Sequence, residues 1–204
     1  MKVSIVSYGS GNIRSVYKAI SDIGYNPVVC DSPKNLKNTD KIILPGVGSY
    51  YQCMKLLVNN NWVETILDLV KVKKKPIFGI CLGMQLFSKC SYEDGYSEGL
   101  NLINAEIHSL KELGCKKIIP HMGWNTVIFN KENNLFEEIN PGTDFYFAHS
   151  YAFKDLNKDY IAGTVNYDVP VVAAISVDNI YGTQFHPEKS SISGKKILKN
   201  FLKF

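Results

Sequence analysis

The stretch Pro76-Ile77-Phe78-Gly79-Ile80-Cys81-Leu82-Gly83-Met84-Gln85 decides the architecture. Ile77 to Ile80 is a short apolar run that reads as a buried strand, and the residues after it read as a helix. Cys81 stands at the corner, in the spacing Gly79-x-Cys81-x-Gly83. This is the nucleophile-elbow pattern G-x-S-x-G with sulfur in place of oxygen. So sharp a turn needs small residues two before and two after the nucleophile, and Gly79 and Gly83 supply them. The corner sets the sulfur at the start of the helix, where partial positive charge and free backbone N–H groups favour a thiolate. The same N–H groups can hold a developing oxyanion. Taken alone, the stretch also suits a small buried cysteine at a strand end, because short glycine patterns recur by chance.

A thiolate needs a base, and the stretch Tyr181 to Ser190 offers one. His186 and Glu188 lie two apart, and in an extended segment residues i and i+2 point to the same side. Pro187 disfavours the helical region for His186 and so favours that extended form. Glu188 can then orient His186, as an acid orients the imidazole in other triads. The plain alternative is a strand-end His-Pro-Glu at the surface; the elbow tips the reading toward a triad.

Working outward, 204 residues with 45% hydrophobic and 21% charged side chains suggest one globular domain, residues 1–204, with one good-sized core. No apolar run approaches the ~18 residues of a membrane helix, and Met1 to Tyr8 reads as a first strand, not a secretion signal. The net charge is +4, with lysines scattered apart from Lys71–Lys75 and the C-terminal helix. Those clusters lack the interleaved aromatics of a base-stacking surface, so no nucleic-acid partner is expected. The five cysteines are an odd number without Cys-x-x-Cys spacing, which argues against a disulfide framework or a structural zinc and for a reducing cytoplasm. The histidines are dispersed, so neither metal nor cofactor is expected.

Along the chain, Lys2–Ser7 reads as strand one. Tyr8-Gly9-Ser10-Gly11-Asn12 reads as a tight loop with Asn12 as N-cap of a helix that ends at Gly24, and Asn26–Cys30 as strand two. This βαβ opening implies a parallel sheet with helices on its faces. Its Gly-x-Gly lacks the third glycine and downstream acid of a dinucleotide site. Lys41–Leu44 reads as a strand ending in Pro45-Gly46-Val47-Gly48, and Tyr50–Asn60 and Trp62–Val72 as helices. Ser91–Gly99 reads as a loop over the site. The second half is richer in strand, with runs at 103–110, 115–119, 126–129, 145–148, 160–165 and 171–177. Pro120 to Asn125 reads as a turn, and Ser190–Phe204 as an amphipathic surface helix.

The elbow followed by Phe185-His186-Pro187-Glu188 resembles the class I, triad-type glutamine amidotransferases. More narrowly, Tyr8–Asn12, Pro45–Gly48, Pro120–Asn125, His149-Ser150-Tyr151 and Phe185–Ser190 resemble the glutaminase subunits of imidazole glycerol phosphate synthases, and the resemblance spans the chain. It implies a flavodoxin-like α/β fold with a mixed, mainly parallel central sheet, helices on both faces and a strand-rich second half. It implies Cys81, His186 and Glu188 as triad, and an oxyanion hole from the N–H of Leu82 and that of Val47 or Gly48. It implies glutamine contacts at Gly46, Gln85, His149, Ser150 and Tyr151. It further implies a heterodimer with a (β/α)8-barrel cyclase, with Ser10, Asn12, His121, Trp124, Asn125, Tyr146 and Lys189 at or near the joint. On this reading the chain releases ammonia from L-glutamine for histidine biosynthesis. The resemblance leaves open a paralogue feeding a surface-sugar amidotransferase, and the elbow alone is shared with thiol hydrolases and peptidases. Of the two candidate bases, His149 and His186, only His186 has an accompanying carboxylate.

Overall fold

The computed structural model describes residues 1–129 and 133–203. Phe204, the last residue of the expected terminal helix, lies outside the described residues. The first half alternates strand and helix: β1 (Val3–Val6), α1 (Ile13–Asp22), β2 (Val28–Cys30), α2 (Pro33–Leu36), β3 (Lys41–Gly46), α3 (Tyr50–Asn59) and α4 (Trp62–Leu67). A π-helical stretch, Asp68–Val72, continues α4 before β4 (Ile77–Cys81) and the single-turn α5 (Leu82–Gln85). The second half is mostly strand: β5 (Cys90–Ser91), β6 (Ser97–Glu98), β7 (Glu106–Ser109), β8 (His121–Phe129), β9 (Asp144–His149), β10 (Tyr151–Lys154), β11 (Ile161–Tyr167), β12 (Val169–Val177) and β13 (Ile180–Thr183). Helix α6 (Ser191–Lys203) follows.

The main sheet has nine strands in the order β2-β1-β3-β4-β13-β12-β11-β8-β9, and β10-β7-β5-β6 form a smaller one. From β2 to β13 neighbours run parallel; from β13 outward every pairing is antiparallel. The expected mixed sheet is therefore parallel at its centre, and the strand-rich half extends it on one side. Strands at the centre are buried on both faces, which explains their near-continuous apolar runs. Alternate residues feed opposite cores: Ile43 and Phe78 pack with Ile20, Ile197 and Phe201, while Ile42, Leu44 and Ile77 pack with Leu57, Trp62 and Ile66.

Several local expectations change. Asn12 precedes α1 but makes no side-chain capping bond. Residues 115–119 do not form a strand. Lys116 N–H donates to the Asp168 carboxylate and the Tyr167 hydroxyl to Ile118 C=O, so side chains of the β11–β12 hairpin hold this segment. The expected turn Pro120–Asn125 is instead the start of β8, with His121 opposite His149 and Trp124 opposite Tyr146. Gly123, with φ of 126°, sits inside the ladder rather than in a turn. Within the expected loop 91–99, the ends pair as β5 and β6.

Candidate active site

Parallel pairing brings the functional ends together. Gly46 at the end of β3 lies opposite Cys81 at the end of β4, and β13 flanks β4 on its other side with Thr183 opposite Ile80. The residues that follow β3 and β13 therefore converge on the sulfur at the carboxyl edge of the sheet, where open α/β sheets form crevices.

Cys81 adopts φ 53° and ψ −111°, a positive-φ conformation that costs a non-glycine residue of order 1–3 kcal/mol. The flanking glycines are required by contact. A methyl group on Gly83 would land on the Leu44 carbonyl oxygen, and one on Gly79 would fall 2.6 Å from Met84 N. The helix after the elbow is one turn long, so little macrodipole stands behind the sulfur. What remains of that expectation is the N–H of Leu82, which opens the turn and has no intrahelical partner.

His186 is extended (φ −93°, ψ 99°), as Pro187 requires, but Pro187–Lys189 then forms a 3₁₀ turn. Glu188 thus returns to its partner through a turn and not by strand alternation. The contact holds: His186 Nδ1 lies 2.9 Å from Glu188 Oε1, with side chains 3% and 1% exposed. The turn is anchored to β9, since His186 N–H donates to Tyr146 C=O. Ser190 Oγ donates to His186 C=O and accepts from Tyr146 N–H. Burial disfavours the charged imidazolium, but hydrogen bonds and opposite charge from Cys81 and Glu188 outweigh it and raise His186 to about 9. With Nδ1 on Glu188, Nε2 is left for the sulfur.

His149 is in a different state. Its Nδ1 faces Tyr151 C=O at 2.8 Å, which can only accept, so Nδ1 carries the proton and Nε2 accepts from His121 Nδ1 at 3.0 Å. Burial pushes His149 down to about 3 and His121 to about 4. Both ring nitrogens of His149 are engaged, so it is not available as a base. His121 is fully buried, stacked between Phe147 and Tyr167, and receives Asn125 Nδ2 on its Nε2. It therefore cannot present itself to a partner, against the expectation; its place in β8 turns it inward. Asn125 sits half-buried behind it. Trp124, 51% exposed, packs edge-on to Tyr146, over which Lys189 Nζ lies 5.7 Å from the ring centroid. These three make one exposed patch next to the site.

A cavity of about 230 Å³ opens beside Cys81 and His186. Val47, Gly48, Gln85, His149, Ser150 and Tyr151 line it, and Gly46, at the end of β3, lies opposite Cys81. Both backbone groups of Val47 are engaged: its C=O accepts from Ser10 Oγ at 2.7 Å, and its N–H lies 3.4 Å from the same oxygen. Ser10 thus borders the site, while Asn12 stands at the start of α1, half-buried.

Two side chains that sequence reasoning did not single out stand at the site. Glu93 lines the cavity, its carboxylate fixed by Tyr50 N–H at 2.9 Å; burial raises its pKa. Nothing in its polar loop marks it. Gln184, fully buried, directs Nε2 at Cys81 Sγ, 3.6 Å away. Its position two residues before His186, the relation that picked out Glu188, was the available signal. Among the described residues no cluster of three metal-ligating side chains occurs, and no helix is long and apolar enough to cross a membrane.

A thiol on a strained elbow, paired with a carboxylate-held histidine at the edge of a mixed sheet, defines a triad-type thiol enzyme. The family model for class-I glutamine amidotransferases matches residues 4–204. The chain is 43% identical over 200 residues to the imidazole glycerol phosphate synthase subunit HisH 1 of Campylobacter jejuni strain 81-176, covering 98% of each chain. It is 42% identical over 204 residues to subunit HisH of Geobacter sulfurreducens, covering 98% of this chain and 97% of that one. The fold matches a chain of the PurLQS structure from Thermotoga maritima (TM-score 0.74, 20% identity, 99% and 97% covered). It also matches a glutamine amidotransferase from the same organism (TM-score 0.65, 18% identity, 100% and 83% covered). The chain belongs to the class I glutamine amidotransferases and, within them, to the HisH subunits of imidazole glycerol phosphate synthase.

Proposed function

We propose that residues 1–204 act as one amidotransferase domain that hydrolyses L-glutamine and hands the ammonia to a (β/α)8-barrel cyclase partner in the cytoplasm. The observation that carries this reading is the elbow Cys81 beside a Glu188-held His186, both lining a cavity sized for an amino acid. Family membership supports the substrate and the histidine-pathway partner.

Cys81 thiolate attacks the side-chain amide carbon of glutamine. The oxyanion is held by Leu82 N–H and by a donor from the 45–48 loop. That donor is the N–H of Val47 or Gly48, and the 3.4 Å approach of Val47 N–H to Ser10 Oγ favours Gly48. His186 Nε2–H passes its proton to the departing nitrogen, the C–N bond breaks, and ammonia leaves a thioester on sulfur. Neutral His186 then takes a proton from water, the hydroxide adds to the thioester, and the C–S bond breaks to release glutamate. Glu188 holds the imidazole and its positive charge throughout. At the far end of the cavity the Glu93 carboxylate faces a ligand ammonium. Gln85 spends its NH₂ on Tyr151 C=O and Gln184 Oε1, so its carbonyl oxygen is what it offers the same group. Trp124, Tyr146 and Lys189 form the surface for the cyclase, with Asn125 behind them. Ammonia is a useful nucleophile only while unprotonated, which favours direct delivery over release to water.

The test is glutamate release from L-glutamine by the purified chain, alone and with the cyclase carrying its nucleotide ligand. The expected result is a low rate alone, a large rise with the loaded partner, and a glutamine-protectable diazo-oxo-norleucine adduct on Cys81. Absence of that adduct sinks the reading.

A further inference from the structure

Two buried carboxamides run from the binding wall to the sulfur, and their orientation follows from one fixed point. Tyr151 C=O can only accept, so the Gln85 atom 2.8 Å from it is the NH₂ nitrogen. That nitrogen also lies 2.9 Å from the Gln184 amide, so the Gln184 atom facing it must be the carbonyl oxygen. The other end of Gln184, its NH₂, then faces Cys81 Sγ at 3.6 Å. The backbone fixes the side chain as well: Gln184 N–H donates to Ala173 C=O, tying the residue to β12 immediately after β13 ends.

We propose that Gln184 is a further residue of the glutaminase reaction, a preset amide donor that holds the Cys81 thiolate in place for His186. This rests on the triad reading above. A thiolate accepts hydrogen bonds more strongly than a thiol, so a fixed N–H donor favours the ionised form and fixes the sulfur's direction. His186 approaches from its own side with a mobile proton; Gln184 has no proton to give at neutral pH and acts only by position. The arrangement also joins substrate seating to the nucleophile. A ligand ammonium drawn to the Gln85 carbonyl tightens the amide that pins Gln184, and Gln184 in turn touches the sulfur.

The experiment is the pH dependence of Cys81 carboxamidomethylation by iodoacetamide, followed by mass of the Cys81 peptide, in the full-length chain. Gln184→Met keeps the length and removes both polar atoms. Gln184→Glu keeps the acceptor for Gln85 and replaces the donor with a negative charge. The midpoint should rise by about one pH unit in the methionine variant and by more in the glutamate variant. kcat should drop about tenfold or more in each, with KM less affected in the glutamate variant. A wild-type midpoint in either folded variant overturns the proposal. Should both variants fail to fold, the wild-type chain labelled at glutamine side-chain nitrogens decides. The Gln184 NH₂ signals must shift when Cys81 is alkylated, and unmoved signals refute the contact. Failure of the triad reading shows elsewhere, as undiminished glutamine hydrolysis in Cys81→Ala.

Discussion

Two buried histidines face one cavity and are driven in opposite directions. His186 is held at about 9 and His149 at about 3. Both suffer desolvation, which by itself disfavours the imidazolium. The difference lies in the second partner. Glu188 and Cys81 meet His186 with negative charge, whereas Tyr151 C=O and a second neutral imidazole meet His149 with dipoles. Burial thus makes one ring a proton carrier and the other a fixed wall, and the β9 ladder that carries His149 also anchors the turn that carries His186.

The comparison breaks first under substitution of the two rings. His186→Gln should lower kcat for glutamine hydrolysis by about 10³-fold, because the proton to the leaving amine is lost. The matched His149→Gln should cost less than about tenfold in kcat, since it removes a wall contact. Equal losses in steady-state assays would mean that both rings handle protons. Next in size, Glu188→Gln should cost about a hundredfold and bring the upper pKa of the kcat/KM profile below about 9. An unmoved upper limb would show that Cys81, not the carboxylate, raises His186.

The pH dependence of stability should separate the two rings by sign. The raised His186 contributes stability that is whole below about 6.5 and is lost as pH climbs through about 9. The depressed His149 contributes stability that is whole above about 6.5 and is lost as pH falls toward 3. Urea unfolding across pH should therefore show the alkaline loss reduced in His186→Gln and the acid loss reduced in His149→Gln. The smallest effect is expected from Ser190→Ala. It removes two hydrogen bonds that dock the His186 turn on Tyr146, costing about 1–2 kcal/mol and a few-fold in kcat, checked by urea midpoint and initial rates.

Much of this molecule was legible because its signals are local. The elbow needs small residues at fixed offsets, and Gly79 and Gly83 sit where a methyl would strike Met84 and Leu44. The βαβ opening declared itself by the period of its apolar residues, and His-Pro-Glu by adjacency. Pro120–Asn125 misled because Gly123 looks like a turn residue, and only pairing with β9 shows that it lies in a strand. The resemblance implies a surface place for His121, but which face of a strand looks inward depends on its register, and here pairing with β9 turns His121 inward. Glu93 carries no local mark of function in its polar loop, whereas the i−2 spacing of Gln184 from His186 is legible but acquires meaning only once the fold sets its amide beside Cys81.

The sequence by itself determined the cysteine elbow, the histidine–glutamate pair and the parallel core, because strand–turn–helix geometry and proline constraints act over a few residues. Only the tertiary structure decided which histidine carries a proton, where the Val47 peptide turns and which amide meets the sulfur. Those depend on charges and carbonyls brought from β9, β10 and β13 around buried side chains, where a single neighbour sets the sign.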